Sequence, residues 1–163
     1  MASGKTWSAY YLVRNYGYHK LSLAGRLKEL AAEMYDITGK DGTDRQVLQE
    51  LGTDLRKHDK DVWIKYLLNV MQFAKLTKIV IDDVRYLNEG NILRQNGFVL
   101  IRVSTDPKLR EARVAHLYPN RPATALLHAS ETDHEHIRED YTTVNDKYFS
   151  GSNLDLTMSN IND

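Results

Sequence analysis

Lys78-Ile-Val-Ile-Asp-Asp-Val-Arg85 is the stretch on which the fold turns. Ile79, Val80 and Ile81 are consecutive and β-branched, with no polar alternation. That pattern predicts a strand from Lys78 to Asp83 buried on both faces, as in a parallel sheet. Asp82, Asp83 and Arg85 follow at its carboxyl end. Open α/β sheets bind their ligands beyond the carboxyl ends of the strands, so this acidic and basic group is where chemistry is expected.

Working outward, helices and strands alternate. Trp7 to Arg14 predicts a helix ending near Gly17, and Tyr18 to Leu23 a short strand or extended entry. Leu27, Leu30, Ala31, Met34 and Tyr35 recur at helical spacing, with Gly39 as the stop. A helix starts at Thr43, and another runs from Asp61 to Phe73. Tyr86 to Gln95 is a helix stopped by Gly97, Phe98 to Val103 a second buried strand, and Pro107 to Ala115 a further helix. Tyr118-Pro-Asn-Arg-Pro122 reads as a loop and Tyr141 to Val144 as a last, weak strand. The alternation predicts an α/β fold with a parallel sheet.

Composition narrows the function. The 163 residues suit one domain, and 42% are hydrophobic, enough for a packed core. Lys and Arg number 22, and so do Asp and Glu. A balanced charge gives no general attraction to a nucleic acid polymer or a membrane, so an anion site must come from local clustering. Cysteine is absent, which excludes disulfides and thiolate metal sites. With no bilayer-length apolar run and no signal-peptide core at the start, the expectation is a soluble, cytoplasmic protein.

Five groups of residues can carry chemistry. Gly4-Lys5-Thr6 matches the end of a phosphate-binding P-loop, G-x-x-x-x-G-K-[ST]. In such a loop backbone N–H groups wrap a phosphate, the lysine reaches the β and γ phosphates, and the hydroxyl binds Mg²⁺. Taken alone, the same tripeptide before a helix is also what chance supplies. Asp83 and Arg85 are two apart and share a side of an extended chain, which suits a metal beside a phosphate. Without a P-loop the pair reads rather as a solvated strand end with a local ion pair. Arg45 and Gln49 share a helical face at i, i+4, suited to phosphate contact or simply to water. Arg110, Arg113 and Arg121 form a basic stretch that could close over transferring phosphates or remain a solvated face. His128 to His136 holds three histidines, but its spacing fits a capping box from Thr132 to Glu135 better than a zinc site. Trp63 and the tyrosines could stack on a base, but such residues more often serve core or half-buried packing.

Together these pieces resemble the deoxynucleoside monophosphate kinases of bacteriophages and their adenylate-kinase-like relatives. The resemblance rests on Ser3-Gly-Lys-Thr6, Leu23 to Leu30, Asp44-Arg-Gln-Val-Leu-Gln-Glu-Leu-Gly52, Asp83-Val-Arg-Tyr-Leu-Asn-Glu89 and His128-Ala-Ser-Glu131, in order along nearly the whole chain. It implies a P-loop NTPase three-layer fold, a parallel sheet flanked by helices, in a single domain over residues 1–163. Nucleoside-monophosphate-binding helices would lie near 40–76 and a short lid near 106–131.

The implied activity is transfer of the γ-phosphoryl of ATP to a nucleoside or deoxynucleoside monophosphate, with Mg²⁺. Ser3, Gly4, Lys5 and Thr6 would hold the ATP phosphates, and Thr6 and Asp83 the metal. Arg45, Gln49, Arg85, Asn88 and Glu89 would bind the acceptor. Lys5, Asp83, Arg85 and Arg113 would act in catalysis, with Arg110, Arg113 and Arg121 in the lid. His128, Ser130 and Glu131 match a signature to which no role is attached. A phosphomevalonate-like acceptor and a non-catalytic binding form are the alternatives.

One departure matters. The family has a central strand and a first P-loop glycine ahead of the point where this sequence starts. The sequence reading therefore expects a gap in the sheet, from an internal start site, upstream residues not included, or a natural short form. An open central edge implies pairing with another chain, including a homodimer.

Overall fold

A computed structural model describes residues 2–37, 42–117, 133–145 and 151–162. Its elements run α1 (Lys5–Tyr16), β1 (His19–Leu21), α2 (Gly25–Tyr35), α3 (Gly42–His58), α4 (Val62–Ala74), β2 (Ile79–Ile81), α5 (Leu87–Gln95), β3 (Ile101–Ser104), α6 (Pro107–Leu117), a 3₁₀ turn (Asp133–His136), β4 (Tyr141–Val144) and α7 (Ser152–Asn162). The chain is α/β, and every strand pairing among the described residues is parallel.

The strands do not form one continuous sheet. β1 pairs with β2, from His19 opposite Ile79 to Leu21 opposite Ile81. β3 pairs with β4, from Ile101 opposite Tyr141 to Ser104 opposite Val144. Among the described residues no strand joins β2 to β3.

Helix α1 fixes how the two pairs are oriented. At its carboxyl end, Lys78 Nζ donates to the Tyr16 carbonyl (3.3 Å), and His19 N–H donates to the Lys78 carbonyl (2.7 Å). That end therefore lies at the start of β2. At the amino end the Ser3 carbonyl accepts from Thr105 Oγ1 (3.0 Å) and Asn145 Nδ2 (2.7 Å). Thr105 and Asn145 immediately follow β3 and β4. The helix thus runs antiparallel to both pairs, so the two pairs run the same way.

One apolar cluster lies among these elements, and further apolar residues are buried on α1 and α7. Leu23, Ile64, Leu67 and Leu93 form the cluster, with Leu21, Ile81, Val84 and Phe98 packed against it. Outside it, Ala9 and Leu12 of α1, and Leu154 and Met158 of α7, are buried. Tyr11 and Tyr16 both donate to the Asp155 carboxylate, at 2.9 and 2.7 Å, and so join α1 to α7.

Several element ends differ from the sequence reading. Strand β2 stops at Ile81, before the aspartates. β3 starts at Ile101 rather than Phe98, because Phe98 N–H closes α5 onto the Leu93 carbonyl (3.1 Å) and Leu100 N–H goes to Asp140 Oδ2 (2.8 Å). Helix α2 ends at Tyr35, before Gly39, and is capped by Asp36 in the left-handed conformation (φ 54°) tolerated by Asp. α3 continues to His58, where Arg56, Lys57 and His58 complement the negative helix end. Helix α7 had no counterpart in the sequence reading.

Candidate functional site at the start of α1

The site is built on Gly4. It caps α1 in the left-handed conformation (φ 96°), and a Cβ there would overlap the Asn145 side chain. Only glycine fits both demands. Gly4 offers no side-chain cap, and the helix start carries the positive end of the helix dipole. Lys5 and Thr6 in that first turn are exposed, and Lys5 Nζ reaches Ser3 Oγ at 3.4 Å.

The loop is held from behind by neutral groups. Asn145 is 5% exposed. It donates to the Ser3 carbonyl, and its Oδ1 accepts from Arg113 Nη2 at 3.4 Å. One amide therefore ties the loop to an arginine of α6. Arg110, one turn earlier, is exposed and lines the same cavity as Ser3, Lys5, Asp82 and Arg85. The cavity has a volume of about 780 Å³ and runs back between the two strand pairs.

The carboxylates beyond β2 have assigned partners. Asp83 accepts from Ser22 Oγ (2.6 Å), Leu23 N–H (2.9 Å) and Ala24 N–H (2.9 Å), fixing the entry to α2. A carboxylate offers about four acceptor positions, so roughly one remains for a metal-bound water. Asp82 pairs with Lys20 at 2.8 Å, and its side chain is 8% exposed.

Glu89 is 2% exposed. Its Oε1 accepts from Arg56 Nη2 (2.9 Å), and its Oε2 from the N–H groups of Arg85 (3.0 Å) and Tyr86 (3.1 Å). The Arg56 guanidinium also lies over the Tyr86 ring, 4.2 Å from its centroid. Glu89 thus shapes the turn that carries Arg85. Asn88 Nδ2 donates to the Lys60 carbonyl (3.1 Å) and Asp61 Oδ1 (2.7 Å), joining α5 to the turn before α4.

Of the residues singled out in the sequence, Ser3, Lys5, Arg85 and Arg110 line one cavity, with Gly4 and Arg113 beside it. Arg45 and Gln49 both belong to α3, and Gln49 is partly exposed. Gln49 is not among the described residues that line the cavity. Arg121, His128, Ser130 and Glu131 lie outside the described residues. The described residues contain no group of three His, Cys, Asp or Glu side chains able to hold a metal. A magnesium ion needs fewer: it commonly uses one or two carboxylates with waters and substrate phosphates. Thr6 is exposed, but neither it nor Asp83, whose carboxylate is held by the turn before α2, is among the described residues that line the cavity.

No family model matches this chain, and no curated protein matches it. No helix among the described residues is long and apolar enough to cross a membrane.

Sequence reasoning missed Asn145, Thr105, Ser22 and Arg56. Thr105 and Asn145 each directly follow a strand, the position where α/β sheets place ligand groups, and that could have marked them. Arg56 lies seven residues after Gln49, two helical turns along one face of α3. Ser22 carried no signal of its own.

Proposed function

We propose that this chain is a P-loop kinase of the adenylate-kinase-like, phage deoxynucleoside-monophosphate-kinase type, acting on small-molecule nucleotides in the cytoplasm. One observation carries the reading: a left-handed glycine opens α1 on the carboxyl side of the strands, with Lys5 and Thr6 in the first turn. The positive end of a helix beside a lysine is chemistry suited to a phosphate chain.

In this reading the N–H groups of the Gly4 turn and the Lys5 ammonium hold the β and γ phosphates of ATP. Arg85 holds the acceptor's phosphate. An acceptor phosphate oxygen attacks the γ phosphorus in line, and the bond to the β,γ-bridging oxygen breaks as ADP leaves. Arg110 and Arg113 neutralise charge that develops on the transferred group. Thr6 and a carboxylate beyond β2 would hold Mg²⁺, which would supply further charge neutralisation.

An ADP-release assay across the common nucleoside and deoxynucleoside monophosphates tests this. We expect turnover with at least one, and Lys5→Ala to lower kcat by about 10²–10³-fold, the usual effect of losing one preorganised charge donor. No turnover with any acceptor, or turnover indifferent to Lys5→Ala, overturns the reading.

A non-catalytic binding form is the second reading, favoured by the break between β2 and β3 directly behind the loop. Calorimetry separates the two: ATP binding without turnover selects the second.

A further inference from the structure

The Glu89 carboxylate is divided between two segments of the chain. Oε2 accepts from the N–H groups of Arg85 and Tyr86, in the turn after β2. Oε1 accepts from Arg56 of α3, 33 residues earlier. The first half is a capping box that starts α5. A neutral glutamine caps a helix in the same way, so the box alone needs neither a charge nor a second oxygen. The bond to Arg56 goes beyond what the start of α5 requires.

The charge is also costly where it lies. Glu89 is buried, and an enclosed carboxylate needs a partner of opposite sign. Among the described residues that partner is Arg56.

Arg56 is itself fixed from several directions. Its Nη1 donates to the Gly52 carbonyl at 3.2 Å, one helical turn back, and its guanidinium lies against the Tyr86 ring. The same Gly52 carbonyl accepts from Trp63 Nε1 of α4 at 3.4 Å. A Cβ at Gly52 would come within 3.0 Å of Leu27 Cδ2, so α2 also packs closely there. Gln49, Gly52 and Arg56 are spaced by three and four residues and share one stripe of α3. That stripe ends on Glu89, and Glu89 holds the backbone of Arg85.

We propose that Arg56 is a positioning residue for the acceptor: through Glu89 it fixes the Arg85 turn relative to α3, so that Arg85 and Gln49 address one substrate. The inference rests on the kinase reading, in which Arg85 holds the acceptor's phosphate. Arg56 acts through Glu89 and not by touching the substrate.

Two substitutions cut the link without removing the cap. Glu89→Gln keeps an oxygen for the two backbone N–H groups but turns an amide NH₂ toward Arg56, donor against donor. Arg56→Met removes the cation and keeps an unbranched chain beside Tyr86. Each is compared with the natural chain by steady-state ADP release, using an acceptor that the natural chain turns over. The KM for the acceptor should rise about tenfold in each, with the KM for ATP unchanged within about twofold. The double variant should be no worse than either single one, because both cut the same link. Arg56→Lys, which can still reach the carboxylate, should recover most of the loss. Hydrogen exchange of the Arg85 and Tyr86 amides should quicken about tenfold in Arg56→Met, while the first turn of α1 stays as it was.

An acceptor KM indifferent to Arg56→Met overturns this inference alone. So does an equal rise in both KM values, or a fall in kcat with both KM values unchanged, since either marks a general loss of structure. Unchanged exchange at Arg85 and Tyr86 overturns it as well. No turnover by the natural chain overturns the kinase reading, and this inference with it.

Discussion

The two strand pairs are held in opposite ways. Around β1 and β2, carboxylates with little exposure organise the backbone: Asp83 gathers three donors from the turn before α2, and Glu89 gathers Arg56 and two backbone N–H groups. Around β3 and β4 the acidic groups lie nearer water. Glu139 pairs with Arg102 at 2.9 Å and Asp140 with Arg94 at 3.1 Å, each partner about one-third exposed. There the functional loop is tied by neutral groups, Thr105 and Asn145. A buried ion pair is costly to break from one side, whereas a surface pair contributes little. The first half is thus rigid where it meets the site, and the second holds the site by a few replaceable bonds.

The sharpest way to break this contrast is Glu89→Ala. It leaves Arg56 beside Tyr86 without its carboxylate and frees two backbone donors. The expected loss of folding stability is about 3 kcal/mol, measured by urea denaturation. A loss below about 1 kcal/mol would place both halves on the same footing.

Asn145→Ala should cost less, about 1–2 kcal/mol, because it removes one neutral bond to the Ser3 carbonyl and one long bond from Arg113 at a buried position. Its distinguishing sign is local: the amides in the first turn of α1 should exchange faster while those of α2 and α5 do not. Uniform acceleration across the chain would mean that Asn145 supports the whole fold rather than the loop.

The smallest expected effect concerns the α1–α7 contact. The hydrogen bond to Asp155, with lesser help from burial and the nearby negative charge, pushes the Tyr16 phenol up to about 12 and raises Tyr11 in the same direction. The folded state therefore holds these protons more tightly than the unfolded chain. The resulting stability is complete below about pH 10, the ordinary tyrosine value, and is lost as pH rises toward 12. Melting temperature followed from pH 9 to 12 should fall more steeply for the natural chain than for Tyr16→Phe. Parallel curves would show that the phenol does not matter to the contact.

Much of the fold was legible because it rests on local signals. The run at Ile79 to Ile81, the helical spacing in α2 and the glycine after α1 all act within a few residues, and the corresponding elements formed. Helix α7 was not legible, although its apolar positions are buried: Leu154 and Met158 show their purpose only once α1 is beside them. The site divided in the same way. Gly4 and Lys5 could be read from a tripeptide. The work of Asp83 and Glu89 could not, because a strand-end carboxylate looks the same in sequence whether it faces a ligand or a helix turn 60 residues away.

The tether on the Ser3 carbonyl also sets an order of assembly. Its two partners lie 102 and 142 residues along the chain. Closing loops of that size is slow and earns nothing until both ends are in place. β3 and β4 must therefore form and dock before the first turn of α1 acquires its shape. The Gly4 turn thus settles only after residues more than a hundred positions along the chain are in place.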